Sequence, residues 1–265
     1  MAKGKMIRAE IEKRKKIAII AAREVGKILT SRFGKTLKVQ SKGDRDLVTD
    51  IDKKADRAFI KSIKRHFPDD GILSEESPVF CSKSGFRWII DPIDGTHNFI
   101  HKIEIFGSSY ALEFKGRVVL GIIYMPRTDE FYLAQKGKGA YCNGRKISVS
   151  GRKLKAATLV YDSSIRLNKD EMLKGLGALA DRAFNVRMFG SSVRGLTYLA
   201  EGKVEAEIEF NDKAWDFAAG LLLVEEAGGR ATDFQGQPWS VNTKRYVASN
   251  KTIHEDILKV LKRGR

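Results

Sequence analysis

Five carboxylates of this 265-residue chain, Asp52, Glu75, Asp91, Asp94 and Asp216, each fall where a patterned segment begins or ends. Acids are common there as turn and capping residues, so none of them alone signals chemistry. Together they form an all-oxygen donor set. Carboxylates that converge repel one another unless one is protonated or a cation lies between them. Oxygen donors without histidine or cysteine suit a hard ion such as Mg²⁺ or Mn²⁺ rather than zinc. Such ions polarise phosphate esters, acidify a bound water and neutralise the departing oxygen, so phosphoryl chemistry is the natural expectation. His66, His97, His101 and His254 show no metal-ligand spacing, and no Ser-His-Asp arrangement stands out.

The densest part of the set is Trp88-Ile89-Ile90-Asp91-Pro92-Ile93-Asp94-Gly95-Thr96. An apolar run ends in two acids; proline fixes the backbone after the first, and glycine permits close approach after the second. Both acids can aim at one spot, beside backbone N–H groups able to hold a phosphate. Upstream, Ile72-Leu73-Ser74 reads as a short strand delivering Glu75 and Glu76. Adjacent strand side chains point to opposite faces, so only one of these glutamates can serve a given site.

The elements that must position these acids follow from periodicity. Ile7, Ile11, Ala18, Ala21, Ala22, Val25, Ile28 and Leu29 recur at three- and four-residue steps and predict one long helix ending near Gly34, with its lysines in water. Ser41 to Asp46 reads as polar and flexible. Thr49 and Asp52 have capping-box spacing ahead of a second stripe, Ala55, Phe59, Ile60, Ile63 and Phe67, which puts Asp52 in a first helical turn. Strands are predicted at 86–90, 108–114, 116–124 and 130–135, and the glycine-rich Lys136 to Tyr141 as a tight surface connection. Beyond Ser150 the pattern predicts a strand at 158–161, a helix at 169–180, a strand at 186–188 and a helix capped by Ser191 or Ser192. Val204 to Phe210 alternates, which predicts a half-exposed strand with Glu205 and Glu207 in water and Glu209 nearest its end. Trp215-Asp216 opens a helix stopped by Gly228-Gly229, and a strand at 246–249 precedes a helix with a capping box from Thr252 to Glu255.

Length allows a substantial core, in one large domain or two closely packed halves, and the change of rhythm after Ser150 sets the halves at 1–150 and 151–265. Cys81 and Cys142 are too few for a disulfide framework, and the start shows neither signal peptide nor membrane span; both suit a cytoplasmic protein. The net charge of +16 is concentrated early, where residues 1–42 hold 13 Lys or Arg against 3 Glu. No nucleic-acid-binding motif accompanies it. A solvated helix face is the leading reading of that charge, and an anionic partner the minority one.

With these residues in view, the chain resembles the inositol monophosphatase family of the lithium-sensitive phosphatase superfamily. The resemblance rests on Asp46-Leu47-Val48-Thr49 with Asp52, Ser74-Glu75-Glu76-Ser77, Trp88 through Thr96 with Asn98-Phe99, and Trp215-Asp216 with Ala219-Gly220 and Glu226-Ala227-Gly228-Gly229. Five fixed positions of Asp-Pro-x-Asp-Gly-Thr would recur by chance on the order of once in ten thousand such chains. The resemblance implies an α/β fold, a layered α/β/α/β/α sandwich of the sugar-phosphatase type, usually a homodimer. It implies a Mg²⁺-dependent phosphomonoesterase, with inositol 1-monophosphate as leading substrate and two or three ions per site.

Carried over by residue, it implies that Glu75, Asp91 and the Ile93 carbonyl hold one ion and that Asp91, Asp94 and Asp216 hold another. A third, weakly held ion would involve Glu75 through water. Asp52 and Thr96 would orient the attacking water, Gly95 and Thr96 N–H groups would grip the phosphate, and Ser191, Ser192 and Glu209 would face the substrate beside Asp94 and Asp216. The segment His101 to Glu104 lacks a proline common at this place in the family. Two alternatives stay open. One is a fructose-1,6-bisphosphatase or a nucleotide phosphatase acting on NADP or 3'-phosphoadenosine phosphates, with Arg194 or Lys213 taking the second anion. The other is a nucleic-acid-binding or regulatory role for the basic N-terminal helix.

Overall fold

The computed structural model describes residues 2–43 and 46–263. Helices α1 (Ala2–Arg32) and α2 (Asp50–His66) flank a hairpin of β1 (Val39–Gly43) and β2 (Asp46–Thr49). Strands β3 (Gly71–Ser74), β4 (Phe86–Asp94), β5 (Gly107–Phe114), β6 (Arg117–Met125), β7 (Glu130–Gln135), β8 (Ala140–Cys142) and β9 (Arg145–Lys146) follow, with the short α3 (Thr96–Ile100) after β4. The second half holds β10 (Thr158–Tyr161), α4 (Lys169–Ala180), β11 (Asn185–Arg187), α5 (Ser192–Ala200), β12 (Ala206–Glu209), α6 (Ala214–Glu226), β13 (Arg230–Asp233), β14 (Tyr246–Ser249) and α7 (His254–Arg263).

Two sheets organise these elements. The first has the order β3-β4-β5-β6-β7-β8-β9, parallel between β3 and β4 and antiparallel elsewhere. The second has the order β11-β10-β12-β14-β13, with β10 parallel to both of its neighbours. Helices α1 and α2 cover the outer face of the first sheet, α5 and α6 lie between the sheets, and α4 and α7 cover the second. The layers are therefore α/β/α/β/α. The inner helix α6 approaches β6 so closely that a Cβ on Gly121 would stand 2.7 Å from the Ala219 carbonyl. Only glycine leaves room for that contact.

Helix α2 starts as its sequence dictates. Thr49 is the N-cap, its hydroxyl accepts from the Ile51 and Asp52 amides, and Asp52 returns a bond to the Thr49 amide. The stripe of α1 is buried at Ile11, Ala18, Ala21, Ala22, Val25 and Leu29, as periodicity requires. That stripe holds one charge: Arg14 is buried, with Nε and Nη2 at 2.9 and 2.8 Å from the two oxygens of Asp70. Its guanidinium lies between the rings of Phe67 and Phe86, 4.4 and 4.0 Å from their centroids. Trp88 Nε1 and Ser84 Oγ also donate to Asp70.

Four expectations need correction. The polar stretch at 41–46 pairs as the β1–β2 hairpin wherever it is described; Asp44 and Arg45 lie outside the described residues. Glu205 and Glu207, expected in water, are buried, as is Glu209, because their side of β12 faces the inner helices. Glu205 is matched by Arg152, Ser150 and the Thr158 amide, whereas neither carboxylate oxygen of Glu207 has a hydrogen-bond partner. The last helix begins at His254, and Asn250, not Thr252, supplies the side chain that accepts the Ile253 amide. Strands β8, β9 and β13 carry no alternation long enough to read and were not expected.

His254 joins α7 to the second sheet through Ser249 Oγ at 2.7 Å and Thr232 Oγ1 at 2.9 Å. Burial, then the charge of Arg230, brings its imidazolium pKa down to about 4. A histidine whose pKa is lower folded than unfolded costs stability as pH falls from its unfolded value, near 6.5, towards 4. The chain is expected to lose about 3 kcal/mol over that window relative to His254→Gln. Urea unfolding of both proteins from pH 7 to pH 4 measures the difference; parallel curves would contradict it.

Candidate metal centre

In an unbroken strand Asp91 and Asp94, three residues apart, would point to opposite faces. They do not, because β4 bulges between them: Asp91 pairs with Ser109 and Asp94 with Gly107, so three steps on β4 match two on β5. Pro92, which lacks an N–H, falls inside the bulge and forfeits no ladder bond. The extra residue turns both carboxylates to one side. The Ile93 amide donates to Asp91 Oδ1 at 2.9 Å and fixes that carboxylate. Gly95 then adopts a left-handed conformation, φ 84°, and starts α3 at Thr96.

Asp216 arrives from the other half of the chain. It lies in the first turn of α6, where one oxygen accepts the Lys213 amide at 2.7 Å. One oxygen from each of Asp91, Asp94 and Asp216 falls within 4.8 Å of the others. Asp216 is thus both a capping acid and a member of the group. Glu75, half-buried at the end of β3, lies outside that tight triangle, yet among the carboxylates its charge presses hardest on Asp91.

The electrostatics are those of a repulsive cluster. Burial, then Glu75, Asp94 and Asp216, raises Asp91 well above the usual carboxylate range. Burial pushes Asp94 up to about 7, against the opposing pull of the Ser191 hydroxyl and the Val193 and Ser192 amides. Burial, then Asp212 and Asp94, raises Asp216. A cation would relieve all three.

Asp52 stands on α2 beside this group. Its Oδ2 accepts from Thr49, and its Oδ1 lies 3.0 Å from Thr96 Oγ1, which is also 2.9 Å from the Ile93 carbonyl. Thr96 has one hydroxyl proton and two lone pairs, so it can donate to one of these acceptors and still accept from a water. Burial raises Asp52, and its bonds from Thr49 and Thr96 oppose the shift.

The start of α5 closes the opposite side. Ser191 is its N-cap, its hydroxyl donates to Asp94 Oδ2, and the Ser192 and Val193 amides reach Asp94 at 3.3 Å. Beyond lies a cavity of about 150 Å³ lined by Asp94, Ser191, Ser192, Glu209, Asp212 and Asp162 among others, with no lysine or arginine in its lining. Burial, then Asp212 and Asp162, raises the Glu209 carboxyl, and burial, then Asp162, pushes Asp212 up to about 7. Tyr246 donates to Asp212 at 3.0 Å.

Asp52, Thr96, Asp91, Ile93, Asp94, Gly95, Ser191, Ser192, Glu209 and Asp216 are therefore brought to one region, with Glu75 at its edge. Arg194 is not available to a second anion: it is buried, with Nη1 2.8 Å from Glu130 Oε2 and its guanidinium 4.6 Å over Tyr198. Lys213 caps α6 through its backbone and has an exposed side chain. Asp162 and Asp212 went unnoticed in the sequence. Asp162 immediately follows β10 just as Glu75 follows β3, so the strand-end rule that selected Glu75 would have found it.

Comparison with known proteins places the chain in one family. The sequence profile of the inositol monophosphatase family matches residues 10–264. The chain is 36% identical over 240 residues to a fructose-1,6-bisphosphatase/inositol-1-monophosphatase of Thermotoga maritima, covering 90% of this chain and 92% of that one. It is also 36% identical over 253 residues to an inositol-1-monophosphatase of Mesorhizobium japonicum, covering 93% and 95%. Among solved structures, the extragenic suppressor protein suhB of Bartonella henselae superposes with a TM-score of 0.92 at 34% identity, covering 95% of this chain and 99% of that one.

Proposed function

The chain belongs to the inositol monophosphatase family, and from that premise we propose that it is a Mg²⁺-dependent phosphomonoesterase acting on a monophosphorylated polyol, inositol 1-phosphate first among them. The observation that carries this reading is the convergence of Asp91, Asp94 and Asp216 within 4.8 Å, next to a cavity with acidic and hydroxyl groups but no cationic side chain in its lining. The donor set fits the ion: buried oxygens with raised pKa values, and neither nitrogen nor sulfur among them. Asp91, Asp94 and Asp216 would hold one Mg²⁺, and Glu75 with Asp91 and the Ile93 carbonyl another; Mn²⁺ would serve the same donors. Such ions polarise the phosphate ester, lower the pKa of water and neutralise the departing oxygen.

The chain's own groups do the rest. Thr96 Oγ1, anchored on Asp52 and the Ile93 carbonyl, is placed to accept a hydrogen bond from the attacking water and orient it. Gly95 and Thr96 amides at the start of α3 are offered to the phosphate oxygens. On the leaving-group side, Glu209 and Asp212 have pKa values pushed upward by burial and by their neighbours. Carboxyls that keep a proton both donate to and accept from polyol hydroxyls. With no lysine or arginine in the lining to pair with it, a second phosphate finds no counter-charge there, which disfavours bisphosphates and nucleotides.

A substrate panel tests this. Inositol 1-phosphate is expected to exceed fructose 1,6-bisphosphate, NADP and 3'-phosphoadenosine phosphates in kcat/KM. Glu209→Gln is expected to raise KM for inositol 1-phosphate roughly tenfold with little change in kcat. A bisphosphate or nucleotide at the top of the ranking would overturn the reading.

No helix among the described residues is long and apolar enough to cross a membrane. Cytoplasmic placement is supported by the exposed free thiol of Cys81, which suits a reducing compartment. A homodimer belongs to the same reading, supported by exposed Phe184 and Met188 beside the edge strand β11. The basic N-terminal helix favours nucleic acid less than its count suggests. Lys13 and Arg14 pair with Glu10, Lys15 with Glu12, and Arg14 again with Asp70.

A further inference from the structure

Helix α2 carries two buried aspartates one turn apart, Asp52 and Asp56, on the face turned towards the first sheet. Asp52 reaches Thr96. Asp56 reaches the loop at the end of β3: its Oδ1 accepts the Ser74 hydroxyl at 2.5 Å and its Oδ2 accepts the Ser77 hydroxyl. These serines bracket Glu75 and Glu76, and Ser74 Oγ in turn accepts the Glu76 amide at 3.3 Å. The Glu75 amide donates to the Ile90 carbonyl at 3.2 Å, one residue before Asp91. The loop is thereby fixed at both ends by one carboxylate and in the middle by the neighbouring strand.

We propose that Asp56 is a positioning residue of the metal centre, holding Ser74 and Ser77 so that the carboxylate of Glu75 is presented towards Asp91. A carboxylate suits this place, because its two oxygens each accept from a separate hydroxyl across that turn. Glu75 has no rigid element of its own beyond the end of β3, since the chain after it runs in an exposed loop through Pro78, Val79 and Phe80. Groups that orient a cation ligand govern affinity nearly as strongly as the ligand itself. The inference rests on the reading of Glu75 as a cation ligand.

The two are separated by titrating Mn²⁺ into the full chain without substrate, by calorimetry, for wild type, Glu75→Gln, Asp56→Ala and the double variant Ser74→Ala/Ser77→Ala. Glu75→Gln is expected to remove one class of Mn²⁺ site. Asp56→Ala and the double serine variant are expected to weaken that same class by roughly tenfold or more, leave the other class unchanged, and recover activity at high Mg²⁺. The serine variant keeps the test informative should Asp56→Ala fail to fold. If Glu75→Gln leaves the isotherm intact, the assignment of Glu75 fails. If Glu75→Gln removes a class that Asp56→Ala and the serine variant leave untouched, or if these variants weaken both classes alike, the positioning role fails.

Discussion

Asp94→Asn is expected to lower kcat by about a thousandfold or more, roughly 4 kcal/mol of barrier, while leaving the chain folded. Asp94 contributes to the three-carboxylate group, lines the adjoining cavity and receives the amides at the start of α5. The amide can keep its carbonyl towards the Ser191 hydroxyl and the Val193 amide, and loses only the bond from the Ser192 amide. It replaces a charge that burial has already pushed up to about 7, so relief of repulsion offsets the lost hydrogen-bond strength. The metal-free variant should therefore melt no lower than the metal-free wild type, and it should gain less from added Mg²⁺. Phosphate release together with melting curves at low and high Mg²⁺ checks both statements. A variant retaining a tenth of wild-type turnover would remove Asp94 from the centre.

The largest expected loss of stability lies far from the chemistry. Arg14→Ala would leave Asp70, which is 0% exposed, buried without its bidentate partner, and would empty the space between Phe67 and Phe86. Breaking such a pair from one side costs about 3–5 kcal/mol, because a charge stays buried and uncompensated. Arg14→Met/Asp70→Asn removes both charges and keeps most of the volume, so it should recover part of that loss. Urea unfolding of the three proteins decides it. A loss under about 1 kcal/mol for Arg14→Ala would show that water reaches Asp70.

These sites differ in how visible they are to a reader of the sequence. The Thr49–Asp52 cap is legible because it depends on residues three apart in one turn, and it is observed. Asp91 and Asp94 are legible because proline and glycine limit what the backbone between and after them can do. Their convergence through a bulge is not, since it needs the register of β5. Arg14 interrupts an apolar stripe in a helix full of lysines, and nothing local distinguishes it from a solvated charge; its partner lies beyond the whole of α2. Glu205 and Glu207 mislead for a related reason. Alternation tells which residues share a face, not whether that face meets water, and in a sandwich with an inner helical layer it meets α5 and α6 instead. The burial of Asp56 is legible, because it follows the capping aspartate by one turn on a face that periodicity places inside; the hydroxyls of Ser74 and Ser77 that donate to it, 18 and 21 residues on, are not.

The position of α6 gives the metal centre a bearing on assembly. Asp91 and Asp94 ride on a strand of the first sheet, whereas Asp216 rides on the helix wedged between both sheets. A cation shared by these three would act as a fastener between layers that the chain reaches at widely separated times during synthesis. Without it, the last step of docking brings like charges together and the native arrangement is locally frustrated. An ion present at a hundredfold excess over its dissociation constant adds about 2.7 kcal/mol to the folded state. The free divalent cation in the protein's surroundings would then set how firmly the two sheets are joined, as well as how fast the phosphate leaves.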